Sequence, residues 1–159
     1  MPYARAKSVL RPAKSAGAGC RTKKPWPLLP CGAALIRDGR RFLISQRRAD
    51  DSFGSFWEFP GGRRDGGETF EECVRRECRE ELDIEVAVEK KFIELRRRFH
   101  GRTVWLNFFL CAVRSGRPRP LASQKIAWVD VDRLAEFRFP PANRGVIEKL
   151  RRLYGGSHA

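Results

Sequence analysis

The chain has 159 residues, 33 of them Lys or Arg against 19 Asp or Glu, for a net charge of +14. Such a length suits one core rather than two, no apolar run nears the ~20 residues of a membrane helix, and the basic excess invites anionic partners. The five cysteines (Cys20, Cys31, Cys73, Cys78, Cys111) are an odd set without a C-x-x-C pair. That pattern argues against a disulfide framework or structural zinc and for a reducing, cytoplasmic setting.

In chain order, residues 1–26 read as a basic extension. Arg5, Lys7, Arg11, Lys14, Arg21, Lys23 and Lys24 stand among Ala, Gly, Ser and Pro with no acid, so the segment cannot bury enough apolar surface to fold alone. A disordered tail, a nucleic-acid arm and an organellar transit peptide all fit this composition. A single domain is expected over residues 27–154. Cys31–Ile36 and Arg41–Gln46 read as strands joined at Asp38-Gly39, and Phe56–Pro60 leads into Gly61-Gly62. A helix is predicted over Phe70–Leu82, which lacks Gly and Pro and follows Thr69, with Glu72 at capping-box spacing. Ile84–Val88, Phe92–Leu95, Thr103–Val113 and Ile126–Val131 are strand candidates. A closing helix spans Asn143–Leu153, with Val146, Ile147 and Leu150 on one face. Residues 155–159 read as a frayed end. The order β-β-β-α-β-β-β-α predicts an α/β fold, a mixed sheet with helices on both sides.

The chemistry concentrates between Gly62 and Ile84, GRRDGGETFEECVRRECREELDI. At ~100° per residue, Val74, Cys78 and Leu82 form one apolar stripe, and Glu77, Glu80 and Glu81 fall together beside it. Like charges at i, i+3 and i+4 repel by ~0.2–0.5 kcal/mol per pair, and turning carboxylates toward a core costs more. A hard divalent cation, Mg²⁺ or Mn²⁺, reverses that balance because it takes carboxylate and carbonyl oxygens and keeps places for substrate phosphates. A solvated helix whose Arg75, Arg76 and Arg79 offset the glutamates is the alternative for the helix alone. The glycine turn and Glu68, at fixed distances before it, favour the metal–phosphate site.

Written as G-x5-E-x7-R-E-U-x-E-E-x-G-U, with U a bulky aliphatic residue, the segment resembles the Nudix box. Cys78 stands at the first U and Asp83 at the late glycine. The likeness extends from about Cys31 to Leu150 and is nearest to the MutT-type branch, through Ile44-Ser-Gln-Arg-Arg-Ala-Asp50, Phe56-Trp-Glu-Phe-Pro-Gly-Gly62, Trp128 and Phe139-Pro-Pro-Ala-Asn143. It implies an α/β/α sandwich and metal-dependent hydrolysis of a nucleoside triphosphate, 8-oxo-dGTP above all, to the monophosphate and pyrophosphate for nucleotide-pool sanitation. It implies that Glu77, Glu80 and Glu81, with the Gly62 carbonyl, hold Mg²⁺ or Mn²⁺, and that Arg76 orients a neighbouring glutamate. Glu68 and Gly61 support the box. Arg48 meets phosphate, Phe59 lies at the substrate, and Asn143 holds the base. A side-chain amide suits that last task. It can donate to the exocyclic oxygen and accept from the N–H that oxidation creates at ring position seven, where ordinary guanine has a lone pair. Capping the last helix is the plainer reading of Asn143. MutT-like chains often carry an acid in the loop before the late tryptophan. Here that place is near Ala122, in Leu121–Lys125, and Asp50 or Asp51 are the substitutes at hand. Other readings stay open: a cytosine or otherwise modified nucleotide, RNA 5′ ends, or a non-catalytic module that recognises oxidised bases.

Overall fold

A computed structural model describes residues 25–156. The basic extension expected over residues 1–26 therefore falls outside the described part except for its last two residues. Within it, seven strands form one sheet: β1 (Leu28–Asp38), β2 (Arg41–Gln46), β3 (Trp57–Glu58), β4 (Gly61–Arg63), β5 (Glu85–Phe99), β6 (Arg102–Ser115) and β7 (Lys125–Asp130). Two helices join them, α1 (Phe70–Leu82) and α2 (Arg144–Tyr154), with 3₁₀ turns over Val131–Glu136 and Pro141–Asn143.

β1 organises the sheet. It runs parallel to β6 from Leu28↔Thr103 to Ile36↔Cys111, antiparallel to β4 at Cys31–Ala33, and turns back through Gly39 (φ 59°) to meet β2. Its middle is apolar at every position, as a strand covered on both faces must be. Ala33 and Leu35 join Phe42, Ile44, Phe108 and Leu110 beneath Val146, Ile147 and Leu150 of α2. Ala34 and Ile36 join Leu43, Phe109 and Cys111 beneath Val74, Cys78 and Leu82 of α1. The strand period of two thus sends alternate residues to opposite helices, and the expected mixed sheet between two helical layers is the architecture observed.

Three expectations change in detail. Ile84–Val88 and Phe92–Leu95 are one strand, β5, with register shifts between Val88 and Lys90 and between Lys91 and Ile93; the bulges interrupt the alternation that separated them in the sequence. β5 also continues through Arg96–Arg98, closing on β6 by a tight turn at His100 (φ 43°) and Gly101 (φ 73°). At the other end of the domain, Gly155 N–H donates to Arg151 O and Gly156 N–H to Asp132 Oδ2, so the first two residues of the expected frayed end are held.

Candidate active site

α1 is fixed at both ends by the chemistry of its termini. Thr69 Oγ1 accepts from Glu72 N–H (3.1 Å) and Glu72 Oε2 accepts from Thr69 N–H (2.8 Å), a reciprocal cap worth about 1 kcal/mol. The helix stops at Asp83, whose φ of 58° is left-handed. That is where the box pattern expects glycine, and aspartate is one of the few side chains that visits this region readily. Cys78, the other departure, is fully buried in the α1-side core.

Arg76 is the hub of the charged face. Its Nε and Nη2 bind both oxygens of Glu68 (2.5 and 3.0 Å), Nη1 binds Glu77 Oε1 (2.8 Å), and Nη2 also donates to Arg63 O (3.0 Å). Glu68 in turn accepts from Asp65 N–H (2.9 Å), so one arginine ties the glycine loop to the helix. These contacts hold the Glu68 carboxyl below its ordinary range, the Arg76 bond first among the causes.

Glu77 and Glu81 lie inward and face each other. Burial, above all, pushes the Glu77 carboxyl up, with Arg76 opposing. Burial and then the Glu77 charge push Glu81 well above the usual carboxylate range. Glu81 Oε2 accepts from Gly61 N–H (3.2 Å). The two carboxyls meet at a glycine turn and form an electron-rich pair held by one arginine and one amide. Glu80 differs from the expectation that all three glutamates flank the apolar stripe: its side chain is 59% exposed, and Arg76 Nη1 reaches it at 3.4 Å.

The glycines have separate jobs. A Cβ on Gly62 would lie 2.5 Å from Glu77 Oε1, so the missing side chain is what admits that carboxylate. A Cβ on Gly61 would lie 2.1 Å from Gly32 O on β1. The Gly62 carbonyl accepts a weak bond from the Cys73 thiol (3.6 Å).

The remaining candidates lie apart from the glutamates in the chain. Asn143 is buried where the 3₁₀ turn meets α2, and its amide makes no capping hydrogen bond. Phe59 is buried in the α2-side core, edge-on to Phe108 and 5.2 Å from the Phe139 ring. Arg48 is exposed just after β2, with its backbone carbonyl taken by Asp51 N–H. The loop holding Ala122 is tied to the site by Leu121 N–H on Glu81 O and by Gln124 Nε2 on Arg47 O (2.8 Å).

Glu58 on β3 is a site residue that sequence reasoning missed. Burial raises its carboxyl, Arg47 Nη1 pairs with it at 2.8 Å, and its charge is one of those raising Glu81. The signal was a glutamate inside an otherwise apolar Phe-Trp-Glu-Phe-Pro run. Asp51, one of the two proposed substitutes for the loop acid, contributes a small upward push on Glu58.

Among the described residues, no three Asp, Glu, His or Cys side chains already close on one point as ligands. Like charges do not converge unaided, and here Arg76 anchors Glu77 while the Gly61 amide anchors Glu81. The donor set nevertheless fits a hard divalent cation. Its oxygens outnumber the cations beside them, and the raised carboxyls of Glu77, Glu81 and Glu58 mark negative charge that water no longer stabilises.

Comparison with known proteins agrees with this geometry. The family described as "NUDIX domain" matches residues 27–150. An 8-oxo-dGTP diphosphatase of Escherichia coli is 36% identical over 126 residues, covering 79% of this chain and 98% of the relative. A CTP pyrophosphohydrolase of the same organism is 27% identical over 121 residues, 76% of this chain and 90% of that one. Among solved structures, MutT studied from Aliivibrio salmonicida and Vibrio cholerae superposes with a TM-score of 0.65 at 29% identity, covering 77% and 94% of the two chains. The E. coli ORF135 protein superposes at 0.72 and 26%, covering 84% and 95%.

Proposed function

The chain belongs to the Nudix family and is a pyrophosphohydrolase of that family, and from that premise we propose that its substrate is 8-oxo-dGTP, cleaved to 8-oxo-dGMP and pyrophosphate. The observation that carries the reading is the pairing of a buried carboxylate cluster at the glycine turn with a buried amide, Asn143, that the α2 end leaves unused.

Nudix hydrolases depend on divalent metal, and we assign that role here to Mg²⁺, with Mn²⁺ able to replace it. Glu77, Glu80, Glu81 and the Gly62 carbonyl would hold it, with Glu58 near enough to add charge. The ion supplies neutralisation of the polyphosphate oxygens and a lowered pKa for water. The protein's own groups do the rest. Arg76 holds Glu77 in place through Nη1 while its other nitrogens are anchored on Glu68 and Arg63 O. One carboxyl of the Glu77–Glu81 pair takes the proton of the attacking water as general base. Arg48 meets phosphate through its forked donors. Asn143 donates to the purine oxygen and accepts from the N7–H of the oxidised base; ordinary guanine would set two acceptors against each other, a mismatch worth ~1–3 kcal/mol. Phe59 backs the ring of Phe139, which precedes Asn143 in the Phe-Pro-Pro-Ala-Asn turn.

The test is pyrophosphate release from 8-oxo-dGTP, dGTP, dCTP and CTP with Mg²⁺, Mn²⁺ or EDTA. Metal-dependent turnover favouring 8-oxo-dGTP, lost by 10²-fold or more in Glu77→Gln and Glu81→Gln with folding intact, is the expected result. Preference for a cytosine nucleotide would keep the chemistry and remove the assignment of Asn143. Near-wild-type turnover in both glutamine variants would overturn the catalytic assignment.

A further inference from the structure

We infer that the part of the sheet carried by β5 and β6 beyond the start of α1 binds single-stranded nucleic acid. β5 lies at the sheet edge. Past its last bulge, Glu94, Arg96 and Arg98 alternate onto one face, opposite Asn107, Trp105 and Thr103 of β6. The Arg96 guanidinium lies 5.0 Å from the centre of the Trp105 ring. Trp105 meets Phe70 edge-on at 5.0 Å, and Arg64 lies 4.5 Å over Phe70. Arg98 lies 5.3 Å over Trp26, which remains 44% exposed. Two rings in contact, Phe70 and Trp105, are therefore bracketed by Arg64 and Arg96, with the Arg98–Trp26 pair beside them.

Among the described residues none of Arg64, Arg96 or Arg98, the cations of this face, forms an ion pair, and the nearby acid, Glu94, which feels the Arg96 charge, is itself paired with Lys91. An edge strand needs only charge to resist pairing with another sheet; it has no use for arginines stacked on tryptophans. A single strand uses both, since its phosphates meet guanidinium groups and its unpaired bases stack on aromatic and guanidinium planes. A duplex hides its bases, and a vesicle offers none. The sequence immediately before Trp26 continues the same charge, with seven Lys or Arg and no acid in residues 1–24. The patch uses none of the α1 glutamates, so the inference stands apart from the catalytic reading.

The test measures fluorescence anisotropy of labelled dT15, rU15, a 15-base-pair DNA duplex and phosphatidylserine vesicles, with the full chain, across a salt series. Arg96→Ser/Arg98→Ser should weaken single-strand binding about tenfold and lower the salt slope by about 1.4, some 0.7 for each lost phosphate contact. Trp26→Ala should weaken it about tenfold with the slope kept. The dT15 and rU15 arms tell DNA from RNA. Unchanged affinity in both variants, or duplex and vesicle binding as tight as single-strand binding, would overturn the inference. Trp26 is a surface residue, so its variant still decides the matter should the double variant fail to fold; hydrolysis by Trp26→Ala should equal wild type.

Discussion

Gly61 and Gly62 are neighbours, yet an alanine at each should injure different things. At Gly62 the added methyl meets the tip of Glu77, a side chain that can swing aside. Gly62→Ala should therefore leave the melting temperature within a few degrees and cut kcat roughly 10- to 100-fold, the scale of an ångström-sized misplacement. At Gly61 the methyl meets the backbone of β1, which cannot yield without breaking the β1–β4 ladder. Gly61→Ala should destabilise by roughly 3 kcal/mol or more, read as a large drop in the urea midpoint. Arg76→Ala belongs to the same scale. It strands Glu68 and Glu77, both mostly buried, and should cost about 2–4 kcal/mol, whereas Arg76→Lys retains charge but loses the forked contacts and should fall between. At this scale the sequence was most informative where residues act through fixed local spacing, as in Thr69–Glu72 and Glu68–Arg76. It was least informative for Glu58, whose meaning depends on its charge reaching Glu81 from β3, a juxtaposition no local spacing encodes.

Elements were legible where periodicity and punctuation agree. α1 runs over the span its cap and apolar stripe predict, and its end at Asp83 explains a departure from the box. Asp83→Gly should relieve the left-handed strain at the loss of the exposed pair with Arg119, giving a small net gain of about 0.5–1 kcal/mol by chemical denaturation. Loss of stability would show that the ion pair outweighs the backbone. β5 was legible only in fragments. Two of its three register shifts break the alternation in its middle, and Arg96-Arg97-Arg98 has no strand propensity of its own; those residues are extended because Trp105, Val104 and Thr103 on β6 give them partners across the ladder.

For the molecule as a whole, the carboxylates divide into two sets with opposite linkage to pH. Glu68, Asp130 and Asp132 have lowered pKa values, so their contribution is present above the unfolded value and fades as pH falls. Glu77, Glu81 and Glu58 are raised, so the protein without metal loses stability as pH climbs from the ordinary carboxylate range through their folded values. In EDTA the melting temperature should fall between pH 5 and pH 8. Glu81→Gln should flatten that fall, and saturating Mg²⁺ should reverse it in the wild type by mass action. An identical slope in the Gln variant would mean that Glu81 does not bind the proton assigned to it.

The parallel ladder between β1 and β6 has a bearing on how the molecule comes into being. Leu28 must wait for Thr103, 75 residues later, before the sheet's central pairing can begin. At the usual 5–20 residues per second of synthesis, that is an interval of roughly 4 to 15 s. During it the apolar middle of β1 has only its hairpin partner and β4 for company, and α1, though already made, has only half a floor to rest on. A ribosome that stalls before codon 111 would thus release a chain holding the whole charged helix and an unfinished sheet. Quality control would meet this protein most often with its first strand still searching for its sixth.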